Sequence, residues 1–286
     1  MNTSLRHKWV RVSDIDLHVV ESGPENGPLI ILLHGFPEFW YGWHKQIPEL
    51  AEQGFRVWAP DMRGYAASGK DEHYRSSTLP QLAGDILGLM DAEGVKRAVW
   101  VGHDFGAAVT WYASWSFPER VRKAVILNVP HPAVMYSQVV RKPSQMLRSS
   151  YMLFFQLPGL PEWVLRRNRF RVLERALQKT SRPGTFGDGE LARYREAWKE
   201  PGALKGMLNA YRALRLQEGR PRVGRISLPV LLMWGAKDAF LSRSLVRPSL
   251  EMCDNGTLVM MEEATHWIHH EEPMIVTEKI ADFARD

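Results

Sequence analysis

Gly102-His103-Asp104-Phe105-Gly106 decides the fold. The apolar residues 98–101 before it read as a buried strand, and Ala107-Ala108-Val109-Thr110-Trp111-Tyr112-Ala113 after it reads as a helix. A G-x-nucleophile-x-G elbow needs this strand–turn–helix context, because its glycines admit the sharp turn and let the helix pack closely on the strand. The central residue here is a carboxylate where a serine is usual. A serine would imply acyl transfer. A carboxylate attacks an electrophilic alkyl carbon and becomes esterified itself, which moves the expected substrates from esters toward epoxides or alkyl halides.

Outward from the elbow, strand and helix alternate. Residues 15–20 alternate apolar and polar, 29–33 form a continuous apolar run expected of a strand buried on both faces, and 55–59, 98–101 and 124–127 read alike. Segments 46–53, 79–93 and 105–115 read as helices, and Gly54 and Gly94 follow two of them where a left-handed cap is useful. From 131 to 225 helical segments dominate, broken at Pro158-Gly159, Pro161, Pro183-Gly184 and Pro201-Gly202. Alternation resumes with strands at 229–234 and 257–261 and a helix at 273–284. The pattern predicts an α/β fold with a mostly parallel sheet flanked by helices, its core formed by 1–130 and 226–286 and interrupted by a helical cap at 131–225. There is no internal repeat.

Composition narrows the class. A chain of 286 residues with 45% hydrophobic and 24% charged residues is that of a globular protein. The first residues hold no apolar run of signal-peptide type, and no uncharged stretch reaches membrane-spanning length, so the cytoplasm is the expected location. A single cysteine, Cys253, excludes an intramolecular disulfide and a cysteine metal site. The net charge of +5 is uneven: 131–225 carries 19 Lys and Arg against 7 Asp and Glu, a balance of +12, and the remainder carries −7. Arg166, Arg167, Arg169, Arg171 and Arg175 are spaced to spread around a helix, which reads as a solvated surface. Zinc patterns, phosphate-binding loops and RNA-binding signatures are lacking, so no nucleic-acid partner is expected.

Four further motifs follow predicted strands. His34-Gly35-Phe36-Pro37 offers a loop amide for an oxyanion; Asp61-Met62-Arg63-Gly64-Tyr65, Trp234-Gly235-Ala236-Lys237-Asp238 and Thr265-His266-Trp267 come later. Functional groups in such sheets gather at the carboxyl ends of strands, so these positions can converge. The order Asp104, Asp238, His266 is that of nucleophile, acid and base. Asn128 stands at the other place where such a fold can carry its acid and is neutral. His34 and His103 read as braces for their turns, Asp61 and Arg63 as a structural network, Trp40 and Trp43 as core or pocket wall. His269 and His270 read as surface or helix-start residues, with no acidic partners that would make them metal ligands.

On these motifs the sequence resembles the soluble epoxide hydrolases of the α/β-hydrolase superfamily. The likeness runs from His34-Gly35-Phe36-Pro37-Glu38 to Thr265-His266-Trp267 and includes Tyr151-Met152-Leu153-Phe154-Phe155-Gln156-Leu157-Pro158-Gly159 and Leu208-Asn209-Ala210-Tyr211-Arg212. It implies that Tyr151 and Tyr211 bind and protonate the epoxide oxygen while Asp104 attacks a ring carbon. It implies also that His266, oriented by Asp238, activates water against the resulting ester, with the amides of Phe36 and Phe105 as the oxyanion hole. No cofactor or metal is implied. Phe36, Trp40, Phe105, Phe155 and Trp267 are the expected substrate contacts, and the apolar Met152, Phe154, Phe155 and Leu157 point to a lipophilic epoxide that water opens to a vicinal diol. The family usually carries Trp after the nucleophile; Phe105 preserves the amide and alters the wall. A haloalkane dehalogenase shares the aspartate but usually places Asn or Trp donors where Phe36 and Phe105 stand, and a fluoroacetate dehalogenase would want a cation after Asp104. A ligand-binding receptor on the same scaffold is the reading from another class. Substrate identity, stereochemistry and oligomeric state are not legible.

Overall fold

Strand β3 (Leu29–Leu33) is buried along its whole length, and its side chains alternate between two cores. Leu29, Ile31 and Leu33 belong to one, Ile30 and Leu32 to the other. The continuous apolar run is therefore a strand covered on both faces, the expected state of a central parallel strand. The computed structural model describes residues 4–71, 73–141, 143–216 and 224–285. The first three residues of the expected core and, within the expected cap, residues 142 and 217–223 lie outside them.

The sheet comprises β1 (Arg6–Val12), β2 (Ile15–Ser22), β3, β4 (Arg56–Pro60), β5 (Ala98–His103), β6 (Val121–Leu127), β7 (Ile226–Gly235) and β8 (Cys253–Met261). Their order across the sheet is β1-β2-β4-β3-β5-β6-β7-β8. The pairs β1·β2 and β2·β4 are antiparallel and the other pairs parallel. Helices α1 (Gln46–Glu52), α2 (Leu79–Ala92) and α3 (Phe105–Ser116) follow β3, β4 and β5. Gly54 and Gly94 adopt the left-handed conformation after α1 and α2 (φ 90° and 68°). β1 is not foreseen by the sequence reading. It is an edge strand with half of its residues in solvent, and its basic residues mask the apolar period.

Between β6 and β7 run α4 (Pro132–Arg141), α5 (Pro143–Arg148), α6 (Tyr151–Phe154), α7 (Leu160–Thr180), α8 (Asp188–Lys199) and α9 (Ala203–Ala213). α7 is broken in its middle, where Asn168, Arg169 and Phe170 all take positive φ (49°, 55° and 65°). α9 approaches the core so closely that a Cβ on Gly206 would stand 2.2 Å from the carbonyl oxygen of Gly64. Only glycine fits there. Helices α10 (Val246–Leu250), α11 (Ile268–Glu271) and α12 (Pro273–Arg285) complete the chain, and α1 and α12 cover the face opposite α2 and α3.

Candidate active site

The turn from β5 into α3 puts Asp104 at φ 49°, ψ −120°, an uncommon conformation for a residue with a side chain. Its neighbours enforce it. A Cβ on Gly106 would lie 2.2 Å from the Leu33 carbonyl oxygen, and one on Gly102 2.3 Å from that of Gly106. The helix can thus begin directly against β3, with the carboxylate held above the strand ends.

Asp104 Oδ1 accepts the backbone N–H of Phe36 at 2.9 Å. Its other oxygen, Oδ2, lies 3.5 Å from Nε2 of His266. Phe105 is the first residue of α3, where an N–H has no partner within the helix. Of the two amides expected to cradle an oxyanion, that of Phe36 is thus bonded to the carboxylate, and that of Phe105 is the first of the helix that follows it. His266 Nδ1 meets Asp238 Oδ2 at 2.7 Å. Asp238 in turn accepts Phe240 N–H (2.7 Å), Leu241 N–H (2.9 Å) and the Asn128 amide (2.8 Å). The neutral Asn128 thus sits against the acid itself, and its own oxygen accepts Gly235 N–H at 3.1 Å.

Burial opposes charge on His266, but the charge of Asp238 and hydrogen bonds to Asp104 and Asp238 outweigh it and raise the imidazole pKa to about 10. Burial likewise works against an ionised Asp104, and His266 overcomes it, so the carboxyl titrates below its ordinary range. Both shifts favour an imidazolium beside a carboxylate.

Above them lies a cavity of about 300 Å³. Asp104 and His266 form its floor, Phe36 and Pro37 one side, and Tyr151, Phe154, Phe155 and Tyr211 the part contributed by α6, α9 and the residue after α6. Phe240 and Trp267 close the lower wall, and α7 supplies Val164, Leu165, Val172, Leu173, Ala176 and Leu177. The Tyr151 and Tyr211 rings stand 5.9 Å apart. Burial and then the Asp104 charge raise the Tyr151 pKa, and burial, Tyr151 and Asp104 raise that of Tyr211, so both phenols keep their protons. Arg212 holds this wall together: its guanidinium donates to the carbonyls of Phe155 (3.1 Å) and Leu157 (2.8 Å) and grips Glu162 with two bonds.

The structure thus gathers Asp104, Asp238, His266, Tyr151, Tyr211, Phe36, Phe155 and Trp267 around one space. Two expected contacts are elsewhere. The Phe105 ring does not line the cavity; it packs edge-on behind Tyr211 with centroids 4.6 Å apart. Trp40 stands among His7, Phe39 and Tyr41, and its backbone N–H donates to Asp61 at 2.8 Å. Asp61 and Arg63 form two networks: Asp61 holds His18, Trp40 and Ala67, whereas Arg63 pairs with Asp14 and Asp85. Trp43 is buried core.

His269 and His270 are a correction. Both are buried, and both bond an acid, Glu38, with Nε2 at 3.2 Å and 2.7 Å. His103 Nδ1 (3.1 Å) and the Tyr194 hydroxyl (2.7 Å) reach the same carboxylate. Burial and then His270 keep His269 well below its usual pKa. The ligand atoms of Glu38, His269 and His270 lie within 4.8 Å of one another, and every side chain here that reaches Glu38 does so at hydrogen-bond distance. Glu38 lies inside the His34–Glu38 motif, yet nothing in the spacing foretells partners more than 200 residues away. Phe240 and the α7 contacts were also unforeseen; the arginines of α7 hide its apolar stripe.

The chain matches the family described as alpha/beta hydrolase fold over residues 28–273. It is 44% identical to the AB hydrolase superfamily protein YfhM of Bacillus subtilis, covering 98% of both chains. It is 35% identical to human Epoxide hydrolase 4, over 98% of this chain and 79% of that one. It also superimposes on the crystal structure of a Bacillus megaterium epoxide hydrolase in complex with an inhibitor, with a TM-score of 0.87 and 27% identity over 98% of this chain and 100% of the other.

Proposed function

Since the chain belongs to the epoxide hydrolase family of α/β-hydrolase enzymes, we propose that it opens lipophilic epoxides to vicinal diols through an alkyl ester on Asp104. One observation carries this reading: the buried Tyr211 and the half-buried Tyr151 share a hydrocarbon-walled cavity with a carboxylate that is already seated against the Phe36 amide. We read 131–225 as a cap over a core of 1–130 and 226–286, the cap supplying Tyr151 and Tyr211 and the core the rest.

Asp104 Oδ2, the oxygen not held by Phe36, attacks a ring carbon. The C–O bond breaks, and the departing oxygen takes a proton from Tyr151 or Tyr211. Esterification removes the negative charge of Asp104, and with it part of what keeps His266 protonated. The imidazole then releases its proton, which restores the tyrosine, and becomes a base at the step that needs one. His266 next takes a proton from water, and the hydroxide adds to the ester carbonyl carbon. The oxyanion forms on Oδ1, facing the amides of Phe36 and Phe105, each worth about 2.7–4 kcal/mol in comparable sites. Collapse breaks the ester C–O bond, the leaving oxygen takes the proton of the hydroxyl that water added, and the diol departs from a restored carboxylate–imidazolium pair. No cofactor enters this cycle.

A single turnover in heavy-oxygen water tests it. Water attacks the enzyme's carbonyl carbon, so the label is expected in the Asp104 carboxylate, read by peptide mass spectrometry, and not in the first diol released. Label confined to that diol means direct attack of water on substrate and defeats the proposal.

A further inference from the structure

Eight of the fourteen exposed large apolar side chains among the described residues fall between 136 and 172. Five of them, Leu153, Leu157, Leu160, Trp163 and Val172, lie on or between α6 and α7, the elements that also wall the cavity. Phe154, Phe155 and Leu165 point inward, whereas Leu153 (72% exposed), Leu157, Leu160 and Trp163 (57%) point to solvent. Val172 does both, lining the cavity while 44% exposed, and the exposed Ala176 lines it too, so the cavity meets solvent at this face. Interleaved with the apolar residues are the exposed Arg166, Arg169, Arg171 and Arg175, for which no carboxylate lies within 4 Å among the described residues; Arg167 stacks on Trp163 at 4.6 Å.

We propose that this outer face of α6 and α7 docks on an anionic lipid surface and that the cavity draws its substrate from the membrane. An apolar patch bearing Trp and Leu and ringed by arginines is the chemistry of an interfacial surface. Charge selects the occupant. A second copy would bring another cap segment of +12 against the first, whereas an anionic bilayer complements it. No helix among the described residues is long and apolar enough to cross a membrane, so contact would be peripheral. The docking itself is independent of the chemistry at Asp104; only the identity of what is drawn in rests on the proposed function.

The test is sedimentation with vesicles of phosphatidylcholine alone and of phosphatidylcholine mixed equally with phosphatidylglycerol, which needs no turnover. The protein is expected to bind the mixed vesicles, to release them in high salt, and to stay in solution with the neutral ones. Arg171→Gln with Arg175→Gln is expected to lower partitioning about twenty- to thirtyfold, at about fivefold per charge. Leu153→Ser with Trp163→Ser is expected to weaken binding with an unchanged melting temperature. Failure to bind the mixed vesicles, equal binding to both kinds, or variants that bind as wild type overturn the proposal. So does light scattering that finds a dimer which the Leu153→Ser, Trp163→Ser variant abolishes.

Discussion

Asp238 accepts four hydrogen bonds, and three come from groups other than the base. That arrangement fixes which oxygen faces His266, and so fixes the imidazole before any substrate arrives. His266→Gln should therefore keep the architecture and lose the base. Alkylation needs Asp104 and the tyrosines, so an alkyl-enzyme is expected to accumulate with an epoxide and to appear in intact-protein mass spectra; a folded variant without adduct would contradict the division of labour. Tyr151→Phe and Tyr211→Phe each remove one donor at nearly constant ring volume. Each is expected to slow alkylation by about ten- to a hundredfold, equivalent to roughly 1.5–3 kcal/mol, and the double variant to be nearly inactive, measured as pre-steady-state rates. That Asp104, Asp238 and His266 would meet was legible because each follows a strand, and the structure brings them together. The tyrosines were legible only through likeness to a family, since a buried phenol in a helix is otherwise an ordinary packing residue. Glu38 and its histidines could not be read at all, because the carboxylate and the two imidazoles of α11 meet only through the folded sheet.

Helices and strands were legible to the extent that burial imprints a period on them. β3 and β5, covered on both faces, read as plain apolar runs; β1 at the sheet edge did not. α7 was the hardest element, since its cavity-facing residues alternate with arginines and its course changes at Asn168–Phe170. α9 is placed by its buried side chains and, at Gly206, by backbone contact as well. A Cβ on Gly206 must push against the Gly64 carbonyl, and Tyr211 lies little more than one turn further along. Gly206→Ala is expected to cost about 1–3 kcal/mol by overpacking and to slow epoxide opening by displacing the phenol. Gly189→Ala on α8, where a Cβ meets nothing within 4 Å, is expected to leave both melting temperature and rate unharmed. Comparing the two variants by calorimetry and stopped flow checks the assignment.

Across the whole molecule, buried histidines are expected to contribute to the pH dependence of stability on both sides of neutrality. His34 and His131 each use one ring nitrogen to accept a backbone N–H, from Met62 at 3.0 Å and Ala133 at 3.3 Å, so the fold holds them neutral. Burial lowers both pKa values, that of His131 to about 4. A lowered folded pKa means that the unfolded chain binds the proton first. Their stabilisation is complete above the ordinary value of 6.5 and is lost as pH falls from there toward about 4. His266 behaves oppositely: its stabilisation is complete below 6.5 and is lost as pH rises toward about 10. The melting temperature is expected to decline on both sides of neutrality. His266→Gln should flatten the alkaline limb and leave the acid limb; an unchanged alkaline limb would show that another group controls it.

The chain leaves the sheet at the end of β6 and returns on β7, its immediate neighbour. The whole helical excursion is therefore spliced into a single seam, and lineages can exchange or reshape it as one contiguous passage of gene. The wall supplied by α6, α7 and α9 can then change as a unit, while Asp104, Asp238 and His266 stay on the sheet. A graft of a relative's excursion between residues 131 and 225 is expected to transfer that relative's tastes to this scaffold, provided that it brings two phenols to the places of Tyr151 and Tyr211.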